Sequence, residues 1–105
     1  MTGYADEKAA RDDGLVISHE PERHRFVILR EGALLGTAHY ALHGEAGAEG
    51  AAIDFDGTEV DPALRGSGIS RLLAQRALTD EIVEGRRILA SCWFMAAELR
   101  RLNSA

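Results

Sequence analysis

Residues 59–78, EVDPALRGSGISRLLAQRAL, change their hydrophobic period from two to 3.6 across one short turn. Everything upstream of that turn with regular patterning reads as strand. Leu15, Val16 and Ile17 are followed by a short polar connection, then by Phe26–Leu29, which predicts a hairpin. Glu31 and Gly32 make a second turn before ALLGTAHYAL at residues 33–42. The loop HGEAGAEGA, with Gly44, Gly47 and Gly50, spoils any regular element. AIDFDGTEV at residues 52–60 is a fourth strand, stopped at Asp61 and Pro62 because proline cannot donate to a ladder.

Downstream, Ile69, Leu72, Leu73 and Ala77, and later Ile82 and Val83, lie at helical spacings, with Gly85 as terminator. RRILAS is a short buried-strand candidate. WFMAAELRRLNSA closes the chain as a helix with Met95, Leu99 and Leu102 on one stripe. The expected order is β-β-β-β-α-β-α, an α+β domain whose antiparallel meander ends in a strand-loop-helix-strand unit. Residues 1–13, polar and without periodicity, are expected to form a mobile leader, and residues 14–105 a single domain.

The totals exclude several classes. A chain of 105 residues has room for one core. A formal net charge of −5 speaks against binding nucleic acid through a general basic surface. Cys92, the single cysteine, has no internal disulfide partner. The acidic start lacks the blocks of a signal peptide, and no apolar run reaches bilayer length, so a cytoplasmic protein without a membrane partner is expected.

IDFDGT invites a phosphoryl-transfer reading, with Asp54 and Asp56 as the nucleophile pair. That chemistry needs a cation for the phosphate and further carboxylates for magnesium. The only lysine is Lys8 in the leader, and the only aspartates after Thr58 are Asp61 and Asp80. The chemistry has nothing to stand on. A calcium-loop reading fails on acidic spacing, and His19, His24 and His43 carry no metal-ligand spacing. No metal site is expected.

The turn itself is more informative. Amides at a helix start have no intrahelical partners, and the aligned dipole favours anions there. Gly66 and Gly68 let the backbone approach a phosphate oxygen, and Arg65 adds a positive charge. The plainer alternative is a tight connection.

VDPALRGSGIS resembles the R/Q-x-x-G-x-G/A acyl-CoA loop of the GNAT N-acetyltransferase superfamily, with Ser70 where glycine or alanine is usual. RFVILREGALLGTAHYAL, TEVDPALRGSGISRLLAQRAL and ASCWFMAAEL resemble, more narrowly, the small YjdJ-type branch, over about residues 14–100. The resemblance implies a GNAT-like fold and acetyl-CoA as cosubstrate. The amides of Arg65, Gly66, Ser67, Gly68, Ile69 and Ser70 would cradle the pyrophosphate. The strand end at Thr58, Glu59 and Val60 would run beside the pantetheine arm, one amide polarising the thioester carbonyl. Cys92 stands where this branch has a cysteine before Pro-Phe, although Trp93 follows here. Family members often read histidine just before Thr-Glu-Val, and here that position is Gly57.

Glu59 is therefore the expected base toward an acceptor ammonium, with a solvent-exposed strand-end carboxylate as the alternative. Cys92 is a candidate proton donor to the CoA thiolate, or a small buried apolar residue. His39 is a candidate replacement for the missing imidazole, or part of a strand surface. Arg71 is a candidate CoA-phosphate contact, or a solvated helix residue. Trp93 and Phe94 are expected in the core or in helix packing, with a stacking platform as the alternative. The six acids of residues 44–61, with no base among them, point to a cationic amine acceptor or to a solubilising surface.

The leading expectation is acetyl transfer to a primary amine by direct attack. The alternative from another class is a non-catalytic acyl-CoA-binding or protein-interaction module. Set against the longer pattern of the family it resembles, the short C-terminal half implies an acceptor wall that is open or completed by a second subunit of a homodimer.

Overall fold

The computed structural model of the chain describes residues 4–64 and 67–104. Helix α1 (Glu7–Asp12) precedes strands β1 (Leu15–Glu20), β2 (Arg25–Arg30), β3 (Ala33–His43) and β4 (Ala52–Val60). Helix α2 (Ile69–Thr79), strand β5 (Arg87–Leu89) and helix α3 (Trp93–Asn103) follow. The strands form one sheet in chain order, antiparallel from β1 to β4 and parallel between β4 and β5. This is the α+β order read from the sequence, with one helix added at its start.

Local chemistry explains the turns. The β2–β3 connection is two residues long, with Glu31 at φ 49° and Gly32 at φ 80°. Two successive positive φ values match the right-handed twist of the strands it joins. Between β1 and β2, Pro21–Arg23 form one 3-10 turn.

Helices α2 and α3 pack on one face of the sheet. Phe26, Ile28, Ile53 and Phe55 on that face meet Leu73 of α2 and Met95 of α3, all without measurable exposure. Burying each such side chain is worth roughly 1.5–3 kcal/mol relative to leaving it in water. Met95 with the half-buried Leu99 and Leu102 forms the expected stripe.

Three expectations need correction. Residues 7–12, inside the stretch expected to be a mobile leader, are a helix. Asp6 caps it by accepting from the Ala9 amide at 2.8 Å, and Ala10 is buried. Helix α2 stops at Thr79 and does not run on to Gly85. Asp80 turns extended and caps a separate 3-10 turn, Glu81–Val83, by accepting from the Ile82 amide at 3.1 Å. Strand β5, read as buried, is a three-residue edge strand with Arg87 and Leu89 exposed.

One irregularity positions the site. His39 pairs with Gly57, but Tyr40 pairs with Phe55, so Asp56 is an extra residue in β4. A bulge of this kind exchanges the two faces of the strand beyond it. Ile53 and Phe55 point to the helices, and past the bulge so do Thr58 and Val60. Gly57 and Glu59 are left on the opposite face.

Candidate active site

The pairing between β4 and β5 is short: Ala52 with Arg87, Ile53 with Ile88, and Asp54 with Leu89. Beyond that, the Cys92 amide donates to the Phe55 carbonyl at 3.2 Å. Among the described residues no strand pairs with Asp56–Val60 on this side. The two parallel strands diverge, and the edge of β4 is exposed to a cleft.

Asp54 holds the point of divergence. Its carboxylate accepts from the Ser91 amide at 2.9 Å and from the Ser91 hydroxyl at 2.6 Å. These bonds fix the turn that leads into α3 and so fix Cys92. Sequence reasoning dismissed Asp54 as ordinary strand. Its outward position was readable from its neighbours Ile53 and Phe55, but its partner, 37 residues away, was not.

The cleft between the β4 edge and the starts of α2 and α3 has a volume of about 740 Å³. Thr58, Glu59, Val60, Ser70, Cys92 and Trp93 line it. The Cys92 thiol faces the Thr58 hydroxyl at 3.8 Å. Cys92 is half-buried at the N-cap of α3. Trp93, expected in packing, is instead 80% exposed at the lip of the cleft. The helical period shows why: two residues before Met95 is a rotation of roughly 200°, away from the buried stripe.

Helix α2 begins with Gly68 at φ 88°, a conformation that favours glycine, and among the described residues no side chain caps it. The first intrahelical bond is from the Leu72 amide to the Gly68 carbonyl at 3.1 Å. The amides of Ile69, Ser70 and Arg71 precede it and have no intrahelical acceptor. Ile69 buries its side chain, so only its backbone is available to a ligand. Ser67 turns its hydroxyl back to the Leu64 carbonyl at 2.6 Å, and its own carbonyl accepts from the Tyr4 amide at 3.1 Å. Arg71 is exposed on the outer side. Arg65 and Gly66, expected at the centre of the anion loop, lie outside the described residues.

A second cleft, of about 450 Å³, lies on the face of the sheet away from the helices. Arg25, Leu35, Thr37, His39, Glu59 and Asp61 line it. Glu59 and Val60 belong to both clefts. Glu59 is the only ionisable residue among the described residues lining both. The structure thus brings Glu59 and Cys92 to one cleft and Glu59 and His39 to the other. His39 and Cys92 share neither. The bulge at Asp56 is what sequence reasoning missed, because without it Glu59 would face the core.

Among the described residues no group of three or more His, Cys, Asp or Glu side chains is placed to hold a metal ion. No helix among them is long and apolar enough to cross a membrane.

A similar fold occurs in an integron cassette protein from the mobile metagenome of V. cholerae, with a TM-score of 0.55 and 19% sequence identity. The likeness covers 77% of this chain and 52% of that one, so the chain spans about half of its neighbour. No curated protein matches the sequence. The family model for GCN5-related N-acetyl-transferases matches residues 25–104, from the start of β2 through α3, and the chain belongs to that family.

Proposed function

We propose that this domain binds acetyl-CoA in the cleft beside β4 and transfers the acetyl group to a primary amine by direct attack. Membership of an acetyltransferase family supports acyl transfer in general. The observation that carries the finer reading is the single carboxylate, Glu59, in the wall between two clefts on opposite faces of the sheet.

The residues present fit the cosubstrate. A diphosphate would take the amides of Ile69 and Ser70, at a helix start that no described side chain caps. The pantetheine arm, itself an amide chain, would lie along the unpaired edge of β4 at Thr58–Val60. One of those amides would donate to the thioester oxygen as negative charge develops there. When bound, the cosubstrate supplies the activated acyl carbon. Glu59 takes a proton from the acceptor ammonium arriving through the second cleft, which frees the nitrogen lone pair. The new carbon–nitrogen bond forms as the carbon–sulfur bond breaks, and the nitrogen sheds its second proton to water to leave the neutral amide. Cys92, beside Thr58 in the first cleft, returns a proton to the departing thiolate. His39 stands opposite Gly57 on the acceptor face and is the candidate to replace the imidazole that the family pattern puts at that position. The two carboxylates Glu59 and Asp61 favour a cationic acceptor.

Gly57 itself favours a second reading, in which the domain binds the cosubstrate without turnover. The test is acetyl transfer to a panel of amines, followed by release of free thiol. Glu59→Gln should lower kcat by about 10²–10⁴-fold with cosubstrate affinity unchanged. Equal kcat in the two proteins would remove Glu59 from the mechanism. Cosubstrate binding with no transfer to any amine would leave the binding-module reading.

A further inference from the structure

We propose that the second cleft selects an acceptor with two ends, a primary amine and a carboxylate separated by a chain of four to six carbons. The proposal rests on the reading above, in which this cleft admits the acceptor.

The register sets the argument. On the face away from the helices, Arg25, His39 and Gly57 form one row across β2, β3 and β4. Val27, Thr37 and Glu59 form the next row. Rows on one face are roughly 7 Å apart and neighbouring strands roughly 4.8 Å. The Glu59 backbone is therefore roughly 8 Å from that of His39 and roughly 12 Å from that of Arg25.

The two ends of the cleft differ in charge. Glu59 and Asp61 are exposed and make no ion pair among the described residues. At the other end the Arg25 guanidinium is held by Glu20 through Nε at 2.6 Å, with the Arg25 side chain 19% exposed. That bond uses one of five donors and fixes the plane of the group, leaving its terminal nitrogens for a planar anion. His39 stands beside it, and the position across from His39 has no side chain: a Cβ at Gly57 would meet nothing within 4 Å. Between the ends stands Thr37 with one hydroxyl, and Leu35 with the half-exposed Leu34 lies one row further on, beside Asp61, as apolar contact at the acidic end. With each charge met at a contact distance of roughly 3 Å along that span of roughly 12 Å, an ammonium at Glu59 and a carboxylate at Arg25 stand roughly 6–8 Å apart, the length of a short methylene chain. A monoamine leaves the Arg25 end unused, and a diamine brings a second cation to it.

Three acceptors of equal chain length test this: pentylamine, 1,5-diaminopentane and 5-aminopentanoate. Expected is a kcat/KM for 5-aminopentanoate at least tenfold above that of either other amine, carried mainly by KM. Arg25→Met should collapse that ratio toward one, and Arg25→Lys should retain part of it, with the fold of both variants checked by circular dichroism. The same three amines titrated into the protein and followed by NMR shifts should rank in the same order. Equal or better use of pentylamine or 1,5-diaminopentane, or a ratio unmoved by Arg25→Met, overturns the proposal. If no amine is acetylated but binding keeps the ranking, the transfer reading fails and this one stands. If binding is unranked, this one falls whatever the turnover.

Discussion

Replacing Gly57 with histidine tests the geometry of the sheet face away from the helices and the proposed chemistry together. A Cβ there has open space on every side, and Gly57 is not among the residues with positive φ. The substitution therefore introduces neither a clash nor backbone strain. A glycine inside a strand costs roughly 0.5–1 kcal/mol relative to alanine, because its unfolded backbone is freer. Gly57→Ala and Gly57→His should each recover part of this and raise Tm by a few degrees, at roughly 4 °C per kcal/mol for a domain of this size. Thermal unfolding followed by circular dichroism reads it. The ring would stand on the face of Glu59, two residues along β4, and opposite His39 across the pair. A positioned acid or base contributes about 10²–10⁴-fold. With Glu59 already in place, the expected rise in kcat is at or below the lower figure, and absent in Gly57→Ala. A drop in Tm of more than about 4 °C in either variant would mean that the space is not open. Turnover that exists only in Gly57→His would favour the binding-module reading.

Asp54→Ala removes both bonds to Ser91 and should cost about 2 kcal/mol, the lower end of the range for charge-assisted bonds at an accessible site. It should also weaken CoA binding severalfold, because the turn that places Cys92 is released. Urea unfolding within 0.5 kcal/mol of wild type would refute that clasp. Burial, with the Asp80 carboxylate adding to it, raises the Tyr40 hydroxyl above its usual pKa of 10. The group's contribution is thus complete below pH 10 and is lost as pH climbs from there toward the folded value. Tyr40→Phe should flatten this alkaline loss while costing about 1 kcal/mol at neutral pH, since His19 loses its partner at 2.6 Å. Identical slopes between pH 9 and 11 would refute the assignment. Trp93 is the only tryptophan and is 80% exposed at the cleft, so its emission should change as CoA is titrated in. A spectrum unmoved at saturation would place it outside the site.

Much of the fold was legible because its elements differ in period. The runs at residues 15–17, 26–29, 33–42 and 52–60 alternate or stay apolar over strand lengths, whereas Ile69, Leu72, Leu73 and Ala77 recur at helical spacing. Helix α1 was not legible, because it buries only Ala10 and so leaves no periodic trace. The end of α2 was misread because Ile82 and Val83 continue the apolar spacing, while Asp80 finds a better bond as the cap of a new turn. In the site, residue types could be chosen from the chain, but the side each one faces could not. A single extra residue at Asp56 decides that Glu59 looks away from the helices toward the second cleft, and a bulge has no compositional signal in DFDGT. The clasp from Asp54 to Ser91 depends on tertiary pairing alone.

The most direct test of the account is an amide NMR titration of the protein with acetyl-CoA, alongside desulfo-CoA and pantetheine. Both CoA ligands should shift Gly68, Ile69, Ser70 and Arg71 at the start of α2, together with Thr58–Val60 on the β4 edge. Pantetheine, which lacks the diphosphate, should move only the β4 group. Saturating acetyl-CoA that leaves the α2 amides unmoved, or shifts centred on the β1 edge, would contradict it.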